Sequence, residues 1–308
     1  MRRTTPLLLL AALLMRPPTA GAQIGAVQNL APGIYFHEGD PRFGTCNNGW
    51  IVMAGGVVVV DANFPMGART VIPKIRALTG EPIQFVIDTH FHPDHCFGNE
   101  VWTREGAAVV AQAETLSELR RSGGAAWLEL AKTRHDLTGT HLEVPTVTYT
   151  DSMAFDDGAH RVELRFFGPA HTHGDTLVWL PRGRILFTGD ACVNGAYNYI
   201  HDCDLSGWIG VLGEASALGA ERVCPGHGPI GGPEVIRDQK AYLAGLRQAV
   251  AGMVASGKTL AQARQAAPAV AADLRQDPHI ARFVPTDRYF ADHVEVAYGQ
   301  LAGPTSRR

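Results

Sequence analysis

Three imidazoles and a carboxylate, His90, His92, Asp94 and His95, fall in the single run Thr89-His90-Phe91-His92-Pro93-Asp94-His95. Neutral imidazole and carboxylate are the donors that zinc and related divalent metals prefer, and few other needs assemble so many of them. Residues 84–88, Gln-Phe-Val-Ile-Asp, are β-branched and aromatic enough to predict a short buried strand leading into the cluster, and Pro93 predicts a turn. On extended backbone His90 and His92 face one side, while Asp94 and His95 on the turn can reach toward a second point. Two adjacent metals are a natural outcome of that spacing.

Further donors lie in the second half of the chain. Gly168-Pro169-Ala170-His171-Thr172 follows a strand pattern and offers an imidazole in a Pro/Gly turn. Ile185-Leu186-Phe187-Thr188-Gly189-Asp190 reads as a buried strand that ends in a carboxylate, a costly position for an unpaired charge. Val223-Cys224-Pro225-Gly226-His227-Gly228 repeats the arrangement: a strand, a tight glycine turn, then a histidine.

The elements that must position these side chains alternate between strand and helix. Strands are predicted at 33–37, 49–53 and 57–61, with a hairpin turn at Gly55-Gly56, and at 84–88 and 107–111; helices are predicted at 68–78, 114–121 and 125–132. Strand patterns at 146–149, 153–155, 159–167, 177–180 and 184–188 predict a second sheet, completed at 222–224 after a helix over 204–218 with Asp204 and Ser206 as capping residues. Two halves, each with a sheet that buries one face on the other, predict an α/β four-layer αββα sandwich. Beyond Gly232, Tyr242, Leu243, Leu246, Val250, Met253 and Val254 form an apolar stripe at helical spacing. A short helix at 260–267 before Pro268 and a last one at 288–301 complete a C-terminal helical extension. That extension packs beside the active site or forms a homodimer contact. The domain plan is a signal peptide at 1–22, a catalytic domain at 23–235 and the extension at 236–308.

The signal peptide is read from Arg2 and Arg3, an apolar stretch from Leu7 to Leu14, and the small residues Ala20-Gly21-Ala22 before Gln23. The apolar stretch is too short to span a bilayer, so the expected location is the periplasm or the medium, with no membrane attachment after cleavage. A formal net charge of −3 and the lack of basic runs exclude an obvious nucleic-acid footprint. Five cysteines, Cys46, Cys96, Cys192, Cys203 and Cys224, leave at least one thiol unpaired; buried thiols and a Cys192 to Cys203 disulfide are both compatible with the spacing.

Taken together, these motifs resemble those of the metallo-β-lactamase-fold hydrolases, which include zinc β-lactamases, glyoxalase II-like thioesterases and metal-dependent lactonases. The resemblance runs from about Gly33 to Gly232 and is similar in order and spacing throughout. It implies one metal held by His90, His92 and His171 and a second held by Asp94, His95 and His227, with Asp190 bridging the two. His171 follows the family's pattern where His173 does not. Asp61, at the end of its strand, would orient a ligand histidine. The implied cofactors are two Zn²⁺ ions, with iron or manganese as substitutes. Metals about 3.5–4 Å apart lower the pKa of a bridging water from near 16 toward about 7, and the resulting hydroxide would attack an ester, thioester, lactone or amide carbonyl of a small-molecule acyl substrate. Asp94 or Asp190 would relay the proton, and β-lactam hydrolysis is among the implied activities.

The chain departs from zinc β-lactamases that place cysteine where Asp190 stands and a lysine three residues on, where it has Val193. Asn194, Tyr197 and Asn198, in the loop after Asp190, are the expected substrate contacts, and Trp208 is expected to pack its helix. An iron-dependent sulfur dioxygenase of the same fold, with one metal near His90, His92 and His171, is the alternative; the complete set Asp94, His95 and His227 favours the hydrolase.

Overall fold

A computed structural model describes residues 24–195 and 197–303. The expected signal peptide lies outside the described residues. The first sheet comprises β1 (Val27–Ala31), β2 (Ile34–His37), β3 (Asn48–Met53), β4 (Gly56–Val60), β5 (Ile83–Asp88), β6 (Ala108–Gln112) and β7 (Val147–Tyr149), side by side in chain order. The second runs β12-β11-β10-β9-β8, built from β8 (Ser152–Asp156), β9 (Arg161–Arg165), β10 (Leu177–Leu180), β11 (Ile185–Phe187) and β12 (Arg222–Cys224).

Alternation along the strands sorts side chains into layers. In β4, Val58 and Val60 point into the core between the sheets, where they meet Leu164, Val178, Ile185 and Phe187. Val57 and Val59 point the other way, against Val71 and Ile75 of α1 (Pro65–Leu78) and Trp102 of α3 (Asn99–Thr103). Such a strand, buried on both faces, needs an unbroken apolar run, and Gly-Val-Val-Val-Val supplies it. On the far side of the second sheet, Trp179, Leu186 and Val223 pack with Trp208 of α6 (Leu205–Ala217) and with α7 (Glu234–Ala255), α8 (Leu260–Leu274) and α9 (Asp287–Leu301). The αββα sandwich with its C-terminal helices is therefore the observed architecture. The C-terminal helices share their core with the second sheet, and the expected boundary at 235/236 falls in the first turn of α7.

Several local expectations change. The strand expected at 146–149 for the second sheet is β7, and it pairs in parallel with β6 at the edge of the first. Parallel neighbours require a crossover, supplied here by α4 (Ala113–Glu118), a π-helical turn at Leu119–Gly123 and α5 (Gly124–Leu130). Strand β1 was not anticipated; its pattern, one buried residue in five, is too weak a signal for an edge strand. Asp204 caps α6 by accepting from the Gly207 amide at 2.8 Å, whereas Ser206 lies inside the helix and accepts from Arg247 Nε at 3.0 Å. All five cysteines are free and buried, so the Cys192 to Cys203 disulfide is absent. Among the described residues no helix is long and apolar enough to cross a membrane.

Helix α8 does not stop before Pro268 but runs through it to Leu274. Its start is fixed by a capping box, Thr259 with Gln262, and its buried face of Ala263, Ala267 and Ala271 packs on the helical core, which outweighs the lost backbone hydrogen bond. Because Pro268 is itself exposed, Pro268→Ala removes a helix defect without leaving a cavity. It is expected to raise stability by about 1–3 kcal/mol in urea unfolding; an unchanged or lowered midpoint would contradict that account.

Candidate metal centre

The strand ends of both sheets meet at one edge of the sandwich. β5 delivers Thr89, His90 and His92, and Pro93 opens the one-turn helix α2 (Pro93–Cys96), which carries Asp94 and His95. The expected turn is thus a helical turn, and it swings Asp94 and His95 away from the extended His90 to His92 segment. The loop after β9 brings His171, the end of β11 brings Asp190, and the end of β12 brings His227. One donor atom from each of His90, His92 and His171 lies within 4.8 Å of the others, and Asp94, His95 and His227 form a second such group. Asp190 stands between them: Oδ1 is 3.5 Å from His95 Nε2, and Oδ2 is 3.8 Å from His171 Nε2 and 3.5 Å from His227 Nε2. His173 is more than half exposed with Nδ1 3.8 Å from Glu118 Oε1, and it is absent from both donor groups.

The far side of each ring decides which nitrogen carries a proton. Thr89 donates its amide (3.0 Å) and its hydroxyl (2.7 Å) to Asp61 Oδ1. With the hydroxyl proton committed, Thr89 Oγ1 at 3.1 Å accepts from His90 Nδ1, which leaves a lone pair on His90 Nε2 aimed into the site. Asp61 Oδ2 lies 3.0 Å from His95 Nδ1 and favours a proton there, turning the Nε2 lone pair inward. His92 Nε2 faces Asp202 Oδ2 at 3.0 Å, so its Nδ1 points inward, 3.0 Å from His171 Nε2. Asp61 itself sits at φ 65°, a left-handed backbone held by Asn48 Nδ2 donating to its carbonyl at 2.6 Å.

Electrostatics divide the cluster. Burial, reinforced by neighbouring imidazoles, holds His90 far below the usual histidine range and lowers His171 to about 3, so both are neutral and able to donate lone pairs. On the other side burial opposes charge, yet His95 and His227 pull Asp94 down to about 2, while the carboxylates Asp190 and Asp94 raise His227. The carboxylate side therefore favours positive charge. His90 Nε2 and Asp190 Oδ1 are buried without a hydrogen-bond partner among the described residues, and inward lone pairs beside carboxylates repel one another unless a cation lies between them. The residues fit a metal ion.

Second-half loops are locked by backbone contacts. The Gly226 amide donates to Gly189 O (2.9 Å) and to Cys192 O (3.1 Å), and Asn194 N donates to His227 O (2.9 Å). Asn47 Nδ2 donates to Pro225 O and Gly228 O, each at 2.8 Å. Asp175, which burial pushes up to about 6, closes the turn after His171 by accepting from the Thr172 amide and hydroxyl. Of the expected substrate contacts, Asn194 donates to Pro229 O (2.8 Å) and the buried Asn198 to Asp190 O (2.6 Å), so both hold the loops, while Tyr197 is exposed at the mouth. Trp208 is fully buried, donates to Ala191 O at 2.9 Å and meets the His171 ring edge-on, the packing role expected of it. Asp202 and Asn47 had no local signal, because each acts on a residue distant in sequence.

The fold and these side chains define a metal-dependent hydrolase. The chain belongs to the metallo-beta-lactamase superfamily, whose family profile matches residues 41–227. It is 27% identical over 211 residues to a type 2 metallo-beta-lactamase of Bacteroides fragilis, covering 62% of this chain and 76% of that protein. It is 24% identical over 233 residues to a linear primary-alkylsulfatase of a Pseudomonas species, covering 61% of this chain but only 44% of the sulfatase. Among solved structures, a metallo-beta-lactamase from Pontibacter korlensis superposes with a TM-score of 0.59 at 21% identity, covering 71% of this chain and 98% of that one, a likeness of fold.

Two substitutions test this construction. A Cβ at Gly226 would collide with Asp190 Oδ1, so Gly226→Ala is expected to displace that carboxylate and lower bound metal, measured by elemental analysis, with the far-ultraviolet dichroism intact. Asp61→Asn would place an amide donor against His95 Nδ1, move the ring proton to Nε2 and weaken metal binding by roughly 10–100-fold in chelator competition; unaltered affinity would remove Asp61 from its orienting role.

Proposed function

We propose that this chain is a dinuclear zinc hydrolase of acyl compounds, acting on an ester, thioester, lactone or amide carbonyl, with β-lactams among the compounds to be tested. The observation that carries this reading is the convergence of two donor sets on one shared carboxylate: His90, His92 and His171 on one side, Asp94, His95 and His227 on the other, and Asp190 between them. Zinc bound there would supply Lewis acidity toward the carbonyl and a water acidic enough to react at neutral pH.

The chain's own residues set the stage for that chemistry. Asp61, Thr89 and Asp202 fix the imidazole orientations, so the donors are aimed before substrate arrives. Asp94 Oδ2, 3.0 Å from His227 Nε2 and lining the cavity, is the carboxylate we assign to relay the proton, with Asp190 beside it. From the sequence of residues 1–22 we further propose export to the periplasm or medium, where such an enzyme would meet its substrate.

The test combines metal analysis with a substrate panel. Mature chain loaded with zinc is expected to hold two equivalents and to hydrolyse at least one member of an ester, thioester, lactone, penicillin and carbapenem set. His92→Ala or Asp94→Ala should lose about one equivalent and roughly a hundredfold or more in kcat/KM, and His173→Ala should change neither. One iron per chain with no zinc would sink the reading in favour of the iron oxygenase.

A further inference from the structure

Beside the ligand cluster opens a cavity of about 850 Å³, large enough for a compound of drug size. Its walls come from segments far apart in sequence. Ile24, Phe91, Val193, Tyr197, Tyr199 and Pro229 give it a mainly apolar lining. The acidic side chains along it are Glu38 and Asp202, together with Asp94 and Asp190 of the ligand cluster. Among the described residues that line it, none is lysine or arginine.

The aromatic wall is braced from behind. Tyr197 stacks on Tyr289 of α9 at 5.8 Å between ring centres and 22° between planes, so the C-terminal helices support the cavity mouth. Tyr199 meets His92 edge-on at 5.4 Å and 82°, which ties the apolar surface directly to the ligand cluster. A substrate held at the cluster would therefore lay its adjoining group against these rings.

From this lining we infer that the cavity selects acyl substrates whose flanking group is apolar and carries no negative charge. The inference rests on the hydrolase reading and narrows it to a substrate class. An anionic flanking group held against this wall, away from the ligand cluster and the metals it would hold, would lose its water and find no lysine or arginine in exchange, with the Asp202 carboxylate at the wall to repel it. An apolar group instead removes its own surface and that of Phe91, Tyr197 and Tyr199 from water. Selectivity thus comes from a penalty against the wrong ligand as well as from contact with the right one.

A matched pair of probes isolates the charge. The zinc-loaded mature chain is assayed with p-nitrophenyl hexanoate and with the mono-p-nitrophenyl ester of adipic acid, which differ at the far end of the acyl chain by methyl against carboxylate. Binding of the corresponding anilides, whose amide is less reactive than the ester, is measured by calorimetry, with their integrity checked by chromatography after each titration. The neutral ester is expected to show a kcat/KM at least tenfold above the anionic one, and the neutral anilide to bind at least tenfold tighter. Tyr199→Lys, at a half-exposed position on the wall, should narrow both ratios at least fivefold.

Parity between the anilides, preference for the carboxylate, or no binding of either overturns the inference. So does a Tyr199→Lys protein whose folding is intact and whose ratios are unchanged. If the anilides bind in the expected order and neither ester is cleaved, the cavity assignment stands and the hydrolysis of such esters falls.

Discussion

Asp61 is a buried carboxylate whose Oδ1 accepts from the Thr89 amide and hydroxyl and whose Oδ2 lies 3.0 Å from His95 Nδ1. Through these contacts one side chain sets the inward lone pairs of His90 and His95, which belong to different donor sets. The arrangement obliges the chain to adopt a left-handed backbone at Asp61, and the surrounding asparagines absorb that demand. Asn48 holds the Asp61 carbonyl, and Asn63, also at positive φ, donates to Cys46 O and Asn48 Oδ1. Local strain is thus located where it orients the site.

The sandwich supplies the rest of the geometry. Register pairs Val60 with Ile87 at the end of β5, and Leu186 with Val223 and Phe187 with Cys224 at the ends of β11 and β12, which fixes each strand end relative to its neighbour. Close approach of the second-half loops then depends on the absence of a side chain. At Gly226 a Cβ would meet Asp190, and at Gly228, with φ 83°, it would meet Asn194 O. Glycine there serves contact between two loops as well as the turn itself.

The C-terminal helices contribute in two ways. They complete the core behind the second sheet, and through α9 they brace the Tyr197 loop at the cavity mouth. Buried inside this region, Tyr242 OH lies 2.6 Å from His293 Nδ1, and burial lowers His293 to about 4, so the pair is a neutral hydrogen bond within an apolar cluster. The helices are therefore continuous with the substrate side of the molecule.

The donor set was legible in the chain because ligand chemistry restricts residue type and because strand ends are marked by short apolar runs closed by glycine or proline. His90, His92, Asp94, His95, His171, Asp190 and His227 could be named on those grounds, together with the layer order, since two-residue alternation reports which faces are buried. Partners across space were not legible. Asp202 beside His92, Asn47 beneath the Pro225 to Gly228 loop and Tyr289 behind Tyr197 are separated from their targets by long stretches of chain, and nothing in their own neighbourhoods marks them. The assignment of β7 to the first sheet and the passage of α8 through Pro268 belong to the same class: pairing and packing with distant elements overrode the local pattern. Residue type and spacing decide which atoms can bind a metal, whereas burial and long-range contact decide how those atoms are aimed and what the cavity beside them will admit.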